Sequence, residues 1–305
     1  MKRNFKENFT CLAILMSCTS LAAQTQHARP RILGIADVEL YSTNVEAAGS
    51  FFETIFSSKG TPANTCDWGN VSQVIGHFNF HSFCSGQNLT LGKPPSSLPT
   101  SLLAEVEFAT DDVRAMKRYL AAKKAAIVKE NSGEEYFAVL DPEGHRIGFR
   151  QSPTPTTPLS ASGTRIIHTG FVVHDRAAED TFYKDILGFH VYWHGGMKEG
   201  EDNWVDMQVP DGTDWIEYML KVADNATHKQ LGVMNHIALG VPDIHVAQAQ
   251  LIKNGWKGTE EPKIGRDGKW QLNLYDPDET RVELMEFKPT KEPCCTPYTG
   301  PHPGP

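Results

Sequence analysis

A strand–helix unit recurs four times along this chain, and this repetition limits the fold more than any other feature of the sequence. The segment from Arg165 to Gly188, RIIHTGFVVHDRAAEDTFYKDILG, alternates like a strand, becomes helical from about Arg176 to Ile186, and stops at a glycine. The segment NHIALGVPDIHVAQAQLIKNGW repeats this pattern 68 residues later. Two weaker copies precede them, so positions 37, 105, 168 and 236 are equivalent, at spacings of 68, 63 and 68 residues. Such regular spacing indicates that one unit was duplicated and that the resulting pair was then duplicated again.

Each unit has room for three further strands after its helix, which makes it a βαβββ module. In the third unit these strands read FHVYWHGG, NWVDMQVP and DWIEYMLK, and in the fourth unit QLNLYDP and RVELMEF supply the last two. We therefore predict an α+β fold in which four modules pair into two domains, at about residues 31–150 and 165–288. Residues 151–164 are rich in Pro, Ser and Thr and predict a linker, whereas the Pro-rich residues 289–305 predict an extended tail.

The strand pattern assigns side chains to two faces of each sheet. In NHIALGV the aliphatic residues must pack on the helix, so His236 faces the uncovered side. The same parity turns Glu217 in DWIEYML and Glu283 in RVELMEF away from the helices, and it allows the same orientation for His168. Each His is followed by a Glu at a similar interval, 49 residues in one unit and 47 in the next.

These four side chains form the candidate metal centre. Two neutral imidazoles and two carboxylates suit one divalent ion such as Zn, Ni, Co, Fe or Mn. Four ligands on an octahedral ion leave two positions for water or a bidentate substrate, an arrangement typical of catalytic sites. A single strand His or Glu is more often a surface residue, and it is the repetition that favours metal binding.

The stretches RIIHTGFVV, WIEYML, NHIALGVPD and LYDPDETRVEL together resemble the vicinal oxygen chelate superfamily, and specifically its bacterial glyoxalase I branch. In that branch one module gives a His or Gln and a Glu, and the next gives a His and a Glu. The resemblance implies that His168, Glu217, His236 and Glu283 are the ligands. It covers residues 164–288 strongly and residues 31–150 weakly, so the fold expected is two vicinal-oxygen-chelate domains.

The resemblance implies lyase or isomerase chemistry on a small oxygenated substrate, in which a proton is removed next to a carbonyl and an enediolate forms on the metal. Glu283 is the first candidate for the base and Glu217 the second. Two alternatives stay open. An extradiol ring-cleaving dioxygenase could use His168, His236 and Glu283, although GKWQLNLY lacks the His of that signature. A ligand-sequestering protein of the bleomycin-resistance type is the other, although such proteins lack the four ligands.

Strand parity also predicts the wall of the substrate cavity. We expect substrate contacts from seven residues, with Trp193 as a further flat surface: Trp204, Asp206, Gln208, Trp215, Gln271, Asn273 and Tyr275. Packing between domains is the alternative role for the aromatic members of this set.

The first domain lacks the same ligands. Asp37 and Glu105 stand at the two His positions, no acidic residue occurs from position 68 to 104, and Gly148 stands where Glu283 does. We therefore predict no metal site there and a supporting role for this domain.

The N-terminus predicts export. A basic start (Lys2, Arg3, Lys6), a short apolar core and small residues at 22–23 are typical of a signal peptide over residues 1–23, and a lipoprotein anchor at Cys18 is a weaker alternative. Export would leave four cysteines that allow three disulfide pairings: Cys66, Cys84, Cys294 and Cys295. It also argues against a glutathione-linked substrate.

The remaining expectations concern partners. A net charge of −8 without a basic cluster argues against nucleic-acid binding, and the apolar run is too short for a lasting membrane span. The partner expected is a small molecule, with the chain acting as a monomer or a homodimer.

Overall fold

The computed structural model describes residues 28–57, 68–74, 77–82, 85–95, 101–129, 134–151 and 164–305. The predicted signal peptide, Cys66, Cys84 and nearly all of the predicted linker lie outside these residues. No helix in the described ranges has the length and apolar character needed to cross a membrane.

The first half of the chain forms one eight-stranded mixed sheet in the order β2-β3-β4-β1-β5-β8-β7-β6. Its elements are β1 (Ile32–Tyr41), α1 (Val45–Phe56), β2 (Trp68–Val74), β3 (His77–Ser82), β4 (Asn88–Gly92), β5 (Leu103–Thr110), α2 (Val113–Ala122), β6 (Ala126–Ile127), β7 (Tyr136–Leu140) and β8 (Arg146–Gln151).

The second half forms a sheet with the same order, β10-β11-β12-β9-β13-β16-β15-β14. Its elements are β9 (Arg165–Val172), α3 (Arg176–Asp180, continued by a π-helical turn over Thr181–Ile186), β10 (His190–Gly195), β11 (Trp204–Gln208), β12 (Trp215–Met219), α4 (His228–Met234), β13 (His236–Val241), α5 (Ile244–Asn254), β14 (Lys263–Ile264), β15 (Trp270–Tyr275) and β16 (Arg281–Glu286). This architecture confirms the α+β prediction of paired βαβββ modules. The short helix α4 between the third and fourth modules was not predicted.

The four module helices begin in the same way. An Asn or Asp side chain accepts a hydrogen bond from the first turn of each helix, which satisfies one of its free backbone N–H groups. These caps stand seven residues after the equivalent positions 37, 105, 168 and 236: Asn44, Asp112, Asp175 and Asp243. The repeat therefore extends to the residue that starts each helix.

The pairing register also repeats. Strand β9 places His168 opposite Ala238 and Gly170 opposite His236, while β1 places Asp37 opposite Glu107. This agreement shows that positions 37 and 168 occupy corresponding places in the two sheets.

The predicted aliphatic faces are buried. Ile237, Leu239 and Val241 on β13 are at most 1% exposed and join an apolar cluster that extends through both sheets. The opposite face of β13 is therefore available for His236, as strand parity requires.

Buried polar side chains join the two halves. The Gln87 amide donates to the carbonyl oxygens of Ile35 and Ile166, at 2.9 and 2.8 Å. The Asp278 carboxylate accepts hydrogen bonds from the Ser42 hydroxyl and from the backbone N–H and hydroxyl of Thr43. These contacts place the second sheet in a fixed position against the first.

The C-terminal segment is not the free, extended tail that its composition predicts. It contains no helix or strand, yet the Tyr298 ring packs against the Tyr192 ring and His302 bonds to the Tyr192 hydroxyl. Cys294 and Cys295 form a disulfide beside Trp193, whose indole N–H donates to the Cys294 carbonyl oxygen. The tail packs because it covers aromatic side chains of β10 that would otherwise face water.

Candidate metal centre

The two predicted histidines meet at the middle of the second sheet. His168 on β9 and His236 on β13 are buried, and their Nε2 atoms lie 3.1 Å apart. Gly170 makes this approach possible, since a Cβ atom on it would lie 2.0 Å from Cε1 of His236. The antiparallel pairing of β9 with β13 thus brings together two residues that are 68 positions apart.

Two carboxylates join them from the flanking strands. Glu217 on β12 lies 3.2 Å from the His236 Nε2, while Glu283 on β16 lies 3.7 Å from His168 Nε2 and 3.8 Å from His236 Nε2. Strands β12 and β16 run parallel to β9 and β13, which places both Glu side chains beside the His pair. Donor atoms of His168, Glu217 and His236 thus lie within 4.8 Å of one another, and Glu283 lies beside both imidazoles.

Both imidazoles are neutral in this environment. Burial lowers the pKa of His168 and of His236 well below the usual value, and for His236 the Arg281 guanidinium lowers it further. His236 Nδ1 lies 3.0 Å from the Met234 carbonyl oxygen, which accepts a hydrogen bond from the Nδ1–H. The Nε2 lone pair of His236 is therefore left to face the centre, as in metal-bound histidines.

Burial also changes the carboxyl groups. It raises the pKa of both Glu217 and Glu283 to about 7, with Arg281 acting in the opposite direction. A carboxylate with a raised pKa lacks sufficient positive charge around it, so a divalent cation would favour its ionised form.

Unpartnered atoms support this interpretation. Within the described part of the chain, His168 Nδ1 and the Glu283 Oε1 are buried without a hydrogen-bond partner. The donor set of two nitrogens and two carboxylates is one that binds Zn²⁺ and related ions. His168, Glu217, His236 and Glu283 thus fit a single divalent ion.

Arg281 is a member of the centre for which the sequence analysis predicts no function. Its guanidinium lies 2.7 Å from His236 Nε2 and 3.9 Å from Glu217. Parity places it on the same face as Glu283, two residues away on β16, and that is the signal that could have identified it. A cation bound by the four ligands would share the site with this positive charge.

The centre lies in a cavity of about 310 Å³. Six predicted residues line it: Trp193, Trp204, Asp206, Trp215, Gln271 and Asn273. The Trp215 ring stacks on His168 with a centroid distance of 4.7 Å. The cavity therefore combines flat aromatic walls with polar groups.

Two predicted cavity residues lie elsewhere. Gln208 is fully buried because the tail covers it, and its amide donates to the Pro301 carbonyl oxygen. Tyr275 is 40% exposed at the end of β15. The alternation of residues along the strands predicts the sheet face on which each side chain lies. It does not predict how far that side chain lies from the centre.

The sequence did not indicate one side of the cavity. The loop over residues 263–267 and the Met197 side chain line it. These segments lie in or beside irregular structure, where no periodicity reports which side chain faces inward.

The equivalent region of the first sheet is occupied by ion pairs. Arg146 binds Glu105 at 2.6 Å, and Glu105 also accepts a hydrogen bond from the Tyr136 hydroxyl. The register places Thr90 where Glu217 stands and Gly148 where Glu283 stands. A Cβ atom at Gly148 would lie 2.3 Å from Glu105, so this position has no room for a larger side chain.

The second half of the chain matches a known family. Residues 165–284 match the model of the Glyoxalase/Bleomycin resistance protein/Dioxygenase superfamily. No curated protein sequence matches the chain.

Solved structures share the fold across most of the chain. A variant of homoprotocatechuate 2,3-dioxygenase from Brevibacterium fuscum in complex with HPCA is 20% identical, with a TM-score of 0.63 over 85% of this chain and 72% of that chain. The anaerobic complex of that enzyme with 3,4-dihydroxyphenylacetate is 19% identical, with a TM-score of 0.61 over 85% and 82%. A room-temperature structure of an extradiol ring-cleaving dioxygenase from B. fuscum is 21% identical, with a TM-score of 0.60 over 85% and 73%. At these identities the similarity establishes a shared fold alone.

Proposed function

Because residues 165–284 belong to the Glyoxalase/Bleomycin resistance protein/Dioxygenase superfamily, we propose that this chain is a divalent-metal-dependent enzyme of the glyoxalase type. It removes a proton next to a carbonyl of a small oxygenated substrate. The observation that carries this proposal is the convergence of two carboxylates, as well as two imidazoles, on one buried centre.

The roles of the residues follow from their positions. His168, His236, Glu217 and Glu283 hold the ion, which supplies Lewis acidity that stabilises negative charge on a substrate oxygen. Glu283 is the first candidate to accept the proton: burial raises its pKa to about 7 in the metal-free site, and it can act as the base only when its carboxylate does not bind the ion. Glu217 is the second candidate for this role, because burial raises its pKa to a similar value.

The cavity wall positions the substrate and limits access of water. Asp206 and Asn273 pair across the sheet with Glu217 and Glu283, so their polar groups stand beside the reacting carboxylates. Trp204 and Trp215 provide the apolar sides of the same cavity. This combination suits a compact ligand with a planar part and several oxygen atoms.

A ring-cleaving dioxygenase is the second candidate. It is favoured by the similarity of fold to the B. fuscum enzyme over 85% of this chain. Such an enzyme would use His168, His236 and Glu283, and it would not need Glu217 as a ligand. The role of Glu217 therefore distinguishes the two proposals.

The experiment measures metal content and turnover together. Purified protein is assayed with methylglyoxal hemithioacetals of several thiols and with catechols under air, while oxygen consumption is recorded. We expect turnover of a hemithioacetal without oxygen uptake, and its loss in Glu283→Gln even at metal concentrations that fill the site in that variant. Oxygen uptake with a catechol, retained in Glu217→Gln, would establish the dioxygenase. Bound metal without turnover of either class would favour a ligand-binding role.

We also propose that the protein is exported and can act as a monomer. Export is supported by the basic start and short apolar core of the N-terminal residues, and by the Cys294–Cys295 disulfide, which needs an oxidising environment. A monomer suffices because a single chain supplies all four ligands. Mass spectrometry of the mature N-terminus and sedimentation analysis would test these two statements.

A further inference from the structure

A second group of candidate ligands lies where the two sheets meet. Asp141 and His145 follow β7 in the first half of the chain, and Glu179 belongs to α3 in the second half. One donor atom from each of these residues lies within 4.8 Å of the other two. The group is separate from the candidate metal centre, with which it shares no residue.

The donor atoms of the first half are already oriented. The backbone N–H groups of Glu143 and His145 bond to Asp141 Oδ1 at 3.0 and 2.8 Å, which fixes the carboxylate. Its Oδ2 lies 2.7 Å from His145 Nδ1 and 3.1 Å from the Tyr183 hydroxyl. His145 and Asp141 thus present a nitrogen and an oxygen side by side, at a separation close to that of neighbouring ligands on one ion.

Glu179 supplies the third donor. The residue is 0% exposed, and its Oε1 accepts a hydrogen bond from the Glu143 backbone N–H at 3.0 Å. Its Oε2 is buried and has no hydrogen-bond partner among the residues that the structure describes. A buried carboxylate oxygen without a partner destabilises the folded state unless a proton or a cation compensates it.

The surroundings do not supply that compensation. Among the described residues, the charged groups that act on Glu179 are Asp141 and Glu143, and both are acidic. Burial, followed by the Asp141 charge, raises the pKa of Glu179 to about 9. The group therefore has two carboxylates, one imidazole and a deficit of positive charge.

We propose that Asp141, His145 and Glu179 form a second divalent-cation site that links the two halves of the chain. Two oxygen donors and one nitrogen donor suit Zn²⁺ or Mn²⁺ better than Ca²⁺, which prefers oxygen ligands alone. Because the ligands come from both halves of the chain, the ion stabilises the relative position of the two halves. Three protein ligands leave the remaining positions for water.

Zinc binding to the full chain tests this site directly. Protein stripped with a chelator is titrated with Zn²⁺ by calorimetry, and the bound metal is counted after gel filtration. We expect two equivalents in the wild type, one in His236→Ala, one in Glu179→Gln, and none in the double variant. The single-site variants separate this proposal from the proposed function, since each removes one ion and retains the other.

Two further variants control for damage to the structure. Glu143 accepts hydrogen bonds from the backbone N–H groups of His174 and Asp175, so Glu143→Gln weakens the contact between the halves. This variant removes no ligand, and two equivalents of zinc are therefore expected. His145→Ala removes a ligand whose ring is already 23% exposed, and one equivalent is expected. Added Zn²⁺ should raise the melting temperature of His236→Ala but not that of His236→Ala/Glu179→Gln. Equal zinc content in the wild type, Glu179→Gln and His145→Ala would overturn the proposal and show that Asp141 and Glu179 share a proton instead.

Discussion

Substitution of Gly170 by alanine tests whether close strand packing positions the metal centre. The added Cβ would lie 2.0 Å from Cε1 of His236, 2.4 Å from its Nδ1 and 3.0 Å from its Nε2. An ordinary contact begins at 3.4 Å, so the ring must retreat by about 1.4 Å. The hydrogen bond from Nδ1 to the Met234 carbonyl oxygen also holds the ring in place, and a movement of this size would break it.

The expected result is a large loss of metal affinity with a moderate loss of stability. Overpacking a buried site typically costs about 1–3 kcal/mol of folding free energy. Loss of an outer partner of a ligand alone lowers metal affinity by roughly 10–100-fold, so displacement of His236 itself should cost at least that much. Calorimetry with Zn²⁺ in the Glu179→Gln background isolates this centre from the second site, and urea denaturation gives the stability.

Gly240→Ala is the matched control. Its Cβ would lie 2.2 Å from the Phe287 ring and 2.7 Å from the Ile167 side chain, on the strand that carries His236 but away from the ligands. This variant should lose a similar amount of stability and keep its zinc affinity within about threefold. If Gly170→Ala binds Zn²⁺ as tightly as Gly240→Ala does, then the reasoning about His236 is refuted.

Three further predictions follow from the charges and contacts. Zinc affinity at the centre should rise with pH up to about 7 and then level off, because the pKa values of Glu217 and Glu283 are raised to about 7 and protons compete with the metal below that pH. Calorimetry in buffers of different ionisation enthalpy should show proton release below pH 7 and little above it. A pH-independent affinity would contradict the assignment. Arg281→Gln should raise zinc affinity at least about fivefold, because two positive unit charges some 4 Å apart repel each other by about 1 kcal/mol even in water. Arg266→Gln, at the cavity wall, is the control. A lower zinc affinity in Arg281→Gln would contradict this prediction and show that the guanidinium supports the site. Asp278→Ala should lower the free energy of unfolding by about 2–4 kcal/mol in a urea titration, since it leaves the Ser42 and Thr43 donors unpaired at the junction of the two halves. The control variant Asp224→Ala, at a fully exposed carboxylate, should change this free energy by less than about 0.5 kcal/mol.

Much of the fold could be predicted because the modules repeat their local signals. The Asn or Asp cap and the strand alternation depend on residues that are close in sequence, so each copy of the module predicts them independently. Equivalence between copies then gave the positions of His168 and His236 without knowledge of the sheet. The π-helical turn over Thr181–Ile186 and the helix α4 have no second copy in the part of the first half that the structure describes.

The remainder of the site depends on distant contacts. Arg281 reaches His236 across 45 residues, and the tail covers Gln208 across 93 residues. The composition of the tail predicts no core of its own, which is why an extended tail was expected. Its aromatic residues instead pack against a core on β10. Strand parity gives the face of a side chain, but only the packed structure gives its neighbours.

The central claim is that His168, Glu217, His236 and Glu283 bind one divalent ion. The most direct measurement is the metal content and X-ray absorption spectrum of the Zn²⁺-loaded Glu179→Gln protein, compared with His168→Ala, His236→Ala and Glu283→Gln in the same background. We predict one equivalent with two imidazole nitrogens and two carboxylate oxygens in the first coordination shell, and weakened or lost binding in every ligand variant. A full equivalent of zinc retained with an unchanged spectrum in both His168→Ala and His236→Ala would contradict the account.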